Sequence, residues 1–581
     1  MTGAVRRASL GPVADRQHQL EERWAAIDGP TWAPRRLEQL LDEVADRWPD
    51  RPYVVTDERS WTYAEIRSWS ERVAAALAGL GVRPGDHVAV VMANHPEFVA
   101  LKYGIARAGA VCVPVNFLNR RDELGYVLRQ SDAVVLVTMD CFRGVDHLAD
   151  LDELAGDWAE RGGGEAFPEL RHVVVVPTGQ AEPRRGVTTL SQIVAATGAA
   201  PGPLHDLGAD QSADILYTSG TTGHPKGVLL THDMLVRTAY GSAYARAFED
   251  GRRVTFSLPM YHVYGYVEGM LSVPFVAGAI IPQLAFDPAA TLRAVARHRA
   301  TDALFIPTMT LAVLDELDTD DHDITSLTSM ISSGGISPTG LWERIERRFA
   351  GVELTTGYGM SETTASTTVT RPDDPPERRR LTNGRLRDAG RAGEAGLGGR
   401  LVVYRVVDPA SGEEVPAGQV GELTCRGPGV TVGYYRKPEE TAAAIDDRGW
   451  LHTGDLGRVD ADGYLTLVGR LKEVYRCGGE QVMPKEVEDV LTANPAVAAA
   501  HVVAIPDRRM GEVGVAWVVA AAGTTVDPGQ LVAWCEQHLA RFKVPRHVLA
   551  IDPAEVPCTP SGRPRKFLLA EMAAERLGAL R

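Results

Sequence analysis

The stretch "ILYTSGTTGHPKGV", residues 215–228, runs from a short apolar strand into hydroxyls and glycines and ends on a lysine. Glycines and small hydroxylated residues leave backbone N–H groups free to face an anion, and Lys226 adds a point charge, so the stretch reads as a phosphate cradle. A Walker A loop is excluded, because Pro225 precedes the lysine and Gly227 stands where that loop needs Ser or Thr. Taken alone, a Gly/Ser/Thr cluster is more often a surface turn. The surrounding sequence has to decide between the two.

Upstream, helical and strand-like runs alternate: "TYAEIRSWSERVAAALAGLGV", "HVAVVMA", "EFVALKYGIARAGAVCVPV" and "AVVLVTM". Continuous β-branched runs separated by helices mark parallel sheets covered on both faces. "LEQLLDEVADRW" at 37–48 has helical apolar spacing, and residues 1–35 before it read as an irregular extension. The polar stretch 155–212 reads as a surface excursion around one strand, "HVVVVP". Near the C-terminus, "GYLTLVGRLKEVYRCGGEQVMPKEVEDVLTANPAV" passes from a strand through a charged turn into a helix, with about 110 residues remaining, enough for a small α+β domain. The expected fold class is therefore α/β: a large N-terminal domain of parallel and mixed sheets covered by helices, at 36–469, and a small mobile α+β lid domain at 470–581.

Composition narrows the function. With 581 residues, 44% apolar and 24% charged, the chain is an ordinary multidomain globular protein. A net charge of -15 without a basic stripe argues against nucleic-acid binding. The six cysteines have neither paired nor zinc-ligand spacing, which fits a reducing cytoplasm. No secretory leader or transit signal is legible, and the most apolar window, residues 267–286, contains Glu268 and two prolines, so it reads as buried helix and strand, with a membrane span as the lesser alternative. Cys477 reads as a packed thiol.

The phosphate cradle resembles the signature loop of the adenylate-forming superfamily: acyl-CoA synthetases, adenylation domains and luciferases. Further motifs follow in that family's order: "LPMYHVYG" at 258–265, "SSGGISP" at 332–338, "TTGYGMSETT" at 355–364, "GWLHTGDLGRVDADGYLTLVGRLKE" at 449–473 and "GGEQVMPKEVE" at 478–488. The resemblance covers roughly residues 37–570 and implies an ATP-dependent, AMP-forming ligase. A carboxylate attacks the α-phosphorus of ATP, pyrophosphate leaves, and the acyl group passes to coenzyme A. Charge accumulates on phosphate oxygens in such a step, so cations and oriented N–H groups carry it.

By that resemblance, Thr218, Ser219, Gly220, Thr221, Thr222, Gly223 and Lys226 hold the phosphates. Glu362 holds magnesium while Ser361 contacts phosphate; a hard cation takes oxygen ligands, so one carboxylate plus a triphosphate suffices. Tyr358 stacks on adenine, beside Gly359, and Gly334 and Gly335 let the backbone approach the base. Asp455 accepts from the ribose hydroxyls and Arg470 donates to the ribose. Lys472 is the interdomain hinge, and Gly478 and Gly479 admit the pantetheine arm. His262 sits at the mouth of the acyl pocket, whose tyrosines suit an aryl or medium acyl group or close a short-chain pocket.

At "TPSGRPRK", 559–566, the sequence departs from the family, which reads Thr-x-x-Gly-Lys and uses that lysine to bridge the carboxylate and the α-phosphate. Arg563 occupies the slot here, and Lys566 follows three residues later. Arg and Lys are not interchangeable at a tight site, so three outcomes stand: Arg563 acts, Lys566 acts instead, or the chemistry differs. Rival readings keep the adenylation and change the acceptor or the acid (a carrier-protein thiol, an amine, or nitrite as in arylamine diazotases), or keep the nucleotide site without turnover. Oligomeric state is not legible.

Overall fold

In the computed structural model, residues 13–27, 31–179, 184, 186–197, 207–218, 225–334, 341–371, 373–558 and 564–578 are described. Two large sheets form the body. One has seven strands in the order 353–355, 329–332, 302–305, 253–256, 279–282, 52–55 and 60–62; all neighbours are parallel except the last pair. The other has six, in the order 226–231, 212–218, 111–115, 87–91, 133–139 and 172–176, parallel apart from the hairpin formed by its first two.

Alternation along each strand explains how these sheets stack. Val88 and Val90 face a central core shared with Val54, Val254 and Ile280 of the other sheet, while Ala89 and Val91 face outward under the helix Arg121–Gln130. Ile281, Phe305 and Met330 likewise turn away from the centre toward the helices Pro288–His298 and Pro307–Thr319. Strands buried on both faces need apolar residues at every position, which is why they read as unbroken runs. The helices Leu37–Arg47, Tyr63–Gly79 and Pro96–Arg107 contribute to the central core. Thr62 and Glu65 close a reciprocal capping box at the start of Tyr63–Gly79, a device worth about 1 kcal/mol.

A three-stranded sheet (357–359, 366–369, 385–386) and an antiparallel four-stranded one (403–407, 421–426, 451–459, 465–470) follow. The last sheet, built from 475–477, 480–482, 497–507, 511–520 and 547–550, has its own core around Val502, Val515, Trp517 and Leu569, to which, among the described residues, none before Tyr475 contributes. Among the described residues, no helix is long and apolar enough to cross a membrane. The window 267–286 is buried as far as Pro282, apart from a half-buried Phe275, and surfaces at Leu284; it takes in the end of a π-helical turn Tyr264–Met270, a 3-10 turn Val273–Val276 and the strand Ala279–Pro282.

Two expectations need correction. Residues 1–35 are not irregular throughout, for Val13–Ile27 is a helix. Leu20, Trp24 and Ile27 share one face of it; Leu20 and Ile27 are buried, the Trp24 indole donates to the Tyr244 carbonyl, and Arg23 grips both oxygens of Glu353. The stripe is short and flanked by charges, so its periodicity is faint. Within 155–212, the strand His172–Val176 is the buried edge of the six-stranded sheet, and Trp158, Phe167 and Leu170 pack into the core beside it.

His147, at the start of the helix His147–Leu154, is 1% exposed and, among the described residues, neither ring nitrogen has a hydrogen-bond partner. Burial pushes its imidazole from the ordinary 6.5 down to about 4. The unfolded chain therefore binds one more proton than the folded one between these values, and stability falls as pH drops through that window. The loss expected from this residue is about 3 kcal/mol. Denaturant midpoints measured between pH 6.5 and 4 should fall more shallowly in His147→Phe than in the parent; equal slopes would assign the acid sensitivity elsewhere.

Candidate active site

The phosphate stretch is the link of a hairpin. Strand Ser212–Thr218 pairs antiparallel with Lys226–Thr231, and Thr218 stands directly opposite Lys226. Ser219, Gly220, Thr221, Thr222 and Gly223 lie outside the described residues, but both ends of their segment are held. The Tyr126 hydroxyl donates to the Pro225 carbonyl at 3.0 Å, and the Tyr435 and Leu229 amides donate to Gly227 and Gly433 at 2.8 and 3.0 Å. Gly227 tolerates no side chain, since a Cβ there would stand 2.5 Å from Ile215.

Lys226 and Glu362 meet at a residue that the sequence reading passed over. The Lys226 ammonium lies 4.7 Å from the centre of the Tyr434 ring, and the Tyr434 hydroxyl donates to Glu362 Oε1 at 3.1 Å. Ser361 and Glu362, both buried, start a 3-10 turn, Ser361–Thr363, and Thr364 follows in the left-handed region at φ 66°. Thr431 N–H donates to the Glu362 carbonyl at 2.7 Å, and Thr364 Oγ1 donates to the Gly429 carbonyl at 2.8 Å, which fixes the turn against the segment 429–434. Burial pushes the Glu362 carboxyl above its ordinary range, with the Tyr434 hydrogen bond opposing. A desolvated carboxylate answered at hydrogen-bond distance by neutral donors, a backbone N–H and the Tyr434 hydroxyl, is the oxygen chemistry that a hard divalent cation completes, so Glu362 fits the expected magnesium ligand.

Asp455 forms the second node. It is 3% exposed and pairs across the antiparallel strands with Arg470. Tyr358 OH donates to its Oδ2 at 2.7 Å, and Arg470 Nε lies 2.9 Å from its Oδ1. A carboxylate has about four lone-pair sites, which leaves acceptor capacity for two ribose hydroxyls. The Tyr358 ring is 6% exposed and packs at 53° to Tyr404 in a cluster with Val406, Leu423 and Leu465, and its hydroxyl is spent on Asp455. Gly359 is required on steric grounds, because a Cβ there would sit 2.0 Å from the Ala365 carbonyl oxygen. Gly334, at φ 86°, faces the Tyr264 ring and Ile306. Gly335 lies outside the described residues. Glu362 feels the charges of Arg470 and Asp455, so the two nodes form one electrostatic neighbourhood.

A buried carboxylate supports this region from behind. Glu268, on the π-helical turn, pairs with Arg387 at 2.9 Å, accepts the Ser366 amide at 3.0 Å and takes the Ser242 hydroxyl. It therefore ties the turn that follows His262 to the strand that follows Glu362.

His262 is half-buried, and its Nδ1 accepts the Tyr264 amide. The tyrosines around it are committed to packing: Tyr261 meets Phe117 edge-on, and Tyr264 OH donates to the Phe305 carbonyl. They therefore say less about the acid than the sequence implied. Lys472, exposed, belongs to the 3-10 turn Leu471–Glu473 between the four-stranded sheet and the C-terminal one. Gly478 and Gly479 have φ of 62° and 90° and turn the hairpin from Tyr475–Cys477 to Glu480–Val482. Cys477 is a packed thiol that burial pushes up. Arg563 lies outside the described residues. Lys566 begins the last helix, and its ammonium is gripped by Glu473 at 2.7 Å and Glu488 at 2.8 Å. Burial works against that charge, but the two carboxylates outweigh it and raise its pKa.

Residues 41–435 match the family described as AMP-binding enzyme, and residues 486–563 match the AMP-binding enzyme C-terminal domain. A methyl-dioxo-octahydroindenyl-propanoyl:CoA ligase of Mycobacterium tuberculosis is 36% identical, with 93% of this chain and 99% of that protein covered. A feruloyl-CoA synthase of Amycolatopsis is 34% identical over 86% of this chain and 92% of its own length. ATP-bound MatB from Rhodopseudomonas palustris superposes with a TM-score of 0.80 at 28% identity, covering 93% of this chain and 99% of that one. The chain belongs to the AMP-binding enzyme family and is an AMP-forming ligase of the acyl-CoA synthetase type.

Removing the Tyr358 hydroxyl leaves a buried carboxylate oxygen without its donor, at a cost of about 1–3 kcal/mol. Tyr358→Phe should therefore lower unfolding free energy by that amount in denaturant titration and weaken ATP binding about tenfold. Unchanged values for both would show that Asp455 is held by Arg470 alone.

Proposed function

We propose that this ligase activates a ring-bearing carboxylic acid. The acid oxygen bonds to the α-phosphorus of ATP as the bond to the β-phosphate breaks, and pyrophosphate leaves. The coenzyme A sulfur then bonds to the acyl carbon, and AMP leaves. The observation that carries this reading is the placement of Lys226 and Glu362 on one tyrosine beside the Asp455–Arg470 pair. Such an arrangement suits a triphosphate at one end and a nucleoside at the other. The ring-bearing acids named for the two relatives support the substrate class.

In this reading Lys226 meets the phosphate oxygens that gain charge, where a pre-placed cation lowers the barrier most. Glu362 would hold magnesium, which supplies charge neutralisation along the triphosphate when bound. Asp455 and Arg470 hold the ribose, Tyr358 offers a ring face to adenine, and His262 stands at the acid's entrance. The chain divides into an adenylating domain at 36–469 and a smaller one at 470–581, which turns about Lys472. Gly478 and Gly479, exposed and free of side chains, then line the pantetheine path. Such alternation separates the two half-reactions without a second site. ATP and coenzyme A supply points to the cytoplasm.

The closing cation in this reading is Arg563. The two-carboxylate grip on Lys566 supports that choice, since drawing this ammonium to a phosphate would expose Glu488, which also accepts the Val502 amide.

The test uses the purified chain with ATP, magnesium and a panel of hydroxycinnamic, benzoic, alicyclic and straight-chain acids plus nitrite, followed for pyrophosphate with and without coenzyme A. Pyrophosphate and a thioester with the ring-bearing acids are expected. Release without a thioester would move the acceptor to an amine or a carrier thiol, and no release would refute the adenylating role. Arg563→Ala should cut pyrophosphate release about 100-fold or more, and Lys566→Ala less than about tenfold; the reverse order would assign the closing charge to Lys566.

A further inference from the structure

We propose that Tyr434 is a positioning residue that stands between Lys226 and Glu362 and keeps these two charges apart, so that a triphosphate carrying a divalent cation finds both already placed. The inference rests on the roles given above to Lys226 and Glu362.

One side chain engages both groups. Its hydroxyl is a neutral donor to Glu362 Oε1, and its ring face, which is electron-rich, receives the Lys226 ammonium. In a buried site a lysine and a glutamate attract strongly and collapse into direct contact unless something intervenes. Among the described residues no ion pair joins Lys226 to Glu362; the tyrosine occupies the place between them. A direct pair would have to be broken before either group could serve the nucleotide. Binding through Tyr434 leaves each charge exchangeable, because a cation–π contact and a neutral hydrogen bond are both weaker than the ionic contacts that replace them.

The backbone that carries Tyr434 is braced by the same two elements. Tyr434 bridges to Val228, two residues along the strand that Lys226 begins, and its N–H donates to Thr441 Oγ1 at 2.9 Å. Three residues earlier, Thr431 N–H holds the Glu362 carbonyl. Gly433, at φ 141°, lets the chain pass Thr441, where a Cβ would stand 2.7 Å from Thr441 Cγ2. The tyrosine is thus fixed relative to both charges by backbone as well as by side chain.

The experiment separates the two contacts by equilibrium binding of ATP, measured by calorimetry in magnesium and again in EDTA. Tyr434→Phe keeps the ring and loses the donor, so it should weaken binding fivefold or more in magnesium and less than twofold in EDTA. Tyr434→Leu loses the ring as well and should weaken binding in both conditions. In a Lys226→Ala background the difference between Phe and Leu at 434 should shrink below twofold. A purely structural role predicts proportional losses in both conditions with lowered melting temperatures, and that result overturns the proposal, as do variants that bind like the parent. Glu362→Gln distinguishes the underlying reading: if it keeps the parent's magnesium dependence, the role given to Glu362 fails and Tyr434 with it, whereas an impaired Glu362→Gln beside an unaffected Tyr434→Phe rejects the Tyr434 proposal alone.

Discussion

The site is organised around the buried carboxylate of Asp455. Desolvating a charge is costly unless hydrogen bonds and an opposite charge compensate, and here both come from separate parts of the fold: the hydroxyl from Tyr358 and the guanidinium from Arg470. The first belongs to the three-stranded sheet that leads to Glu362. The second ends the four-stranded sheet, immediately before the turn into the C-terminal sheet. One side chain therefore joins the three-stranded sheet to the end of the four-stranded one, next to the turn Leu471–Glu473. Withdrawing either partner would leave the Asp455 carboxylate buried and only half answered.

The same logic recurs at Glu268, whose carboxylate is fully buried yet kept ionised by Arg387, the Ser242 hydroxyl and the Ser366 amide. Its acidity is set by that network outweighing burial. At Glu362 the balance reverses: burial outweighs a backbone hydrogen bond, the Tyr434 hydroxyl and the more distant Arg470 charge, and the carboxyl is pushed up. The contrast separates a carboxylate whose burial is fully answered within the protein from one whose burial is not. Lys566 is of the first kind, its charge answered by Glu473 and Glu488.

Much of this was legible in the chain because it is local. The sheets announce themselves where strands such as Val88–Val91 or Val135–Val137 are buried on both faces and must be apolar throughout. The motifs announce themselves because their residues, such as Ser361 and Glu362 of one turn, are adjacent. What stayed hidden is long-range. Tyr434 is 72 residues from Glu362 in sequence, and its meaning appears only once the segment 429–435 folds back onto the hairpin. Tyr358 reads as a stacking ring, and only the fold shows its hydroxyl spent on a residue 97 positions away. The helix Val13–Ile27 escaped because three apolar positions amid charges give a weak period, while its anchors, Glu353 and Tyr244, lie hundreds of residues downstream.

Every assignment at the site presumes that the acid's own oxygen bonds to the α-phosphorus. Turnover of a substrate acid labelled with oxygen-18 in its carboxylate, with mass analysis of the nucleotide product, tests this directly. One labelled oxygen in AMP, and none in pyrophosphate, is the result that attack at the α-phosphorus predicts. Label in a phosphate product with ADP released, or AMP without label, would contradict it.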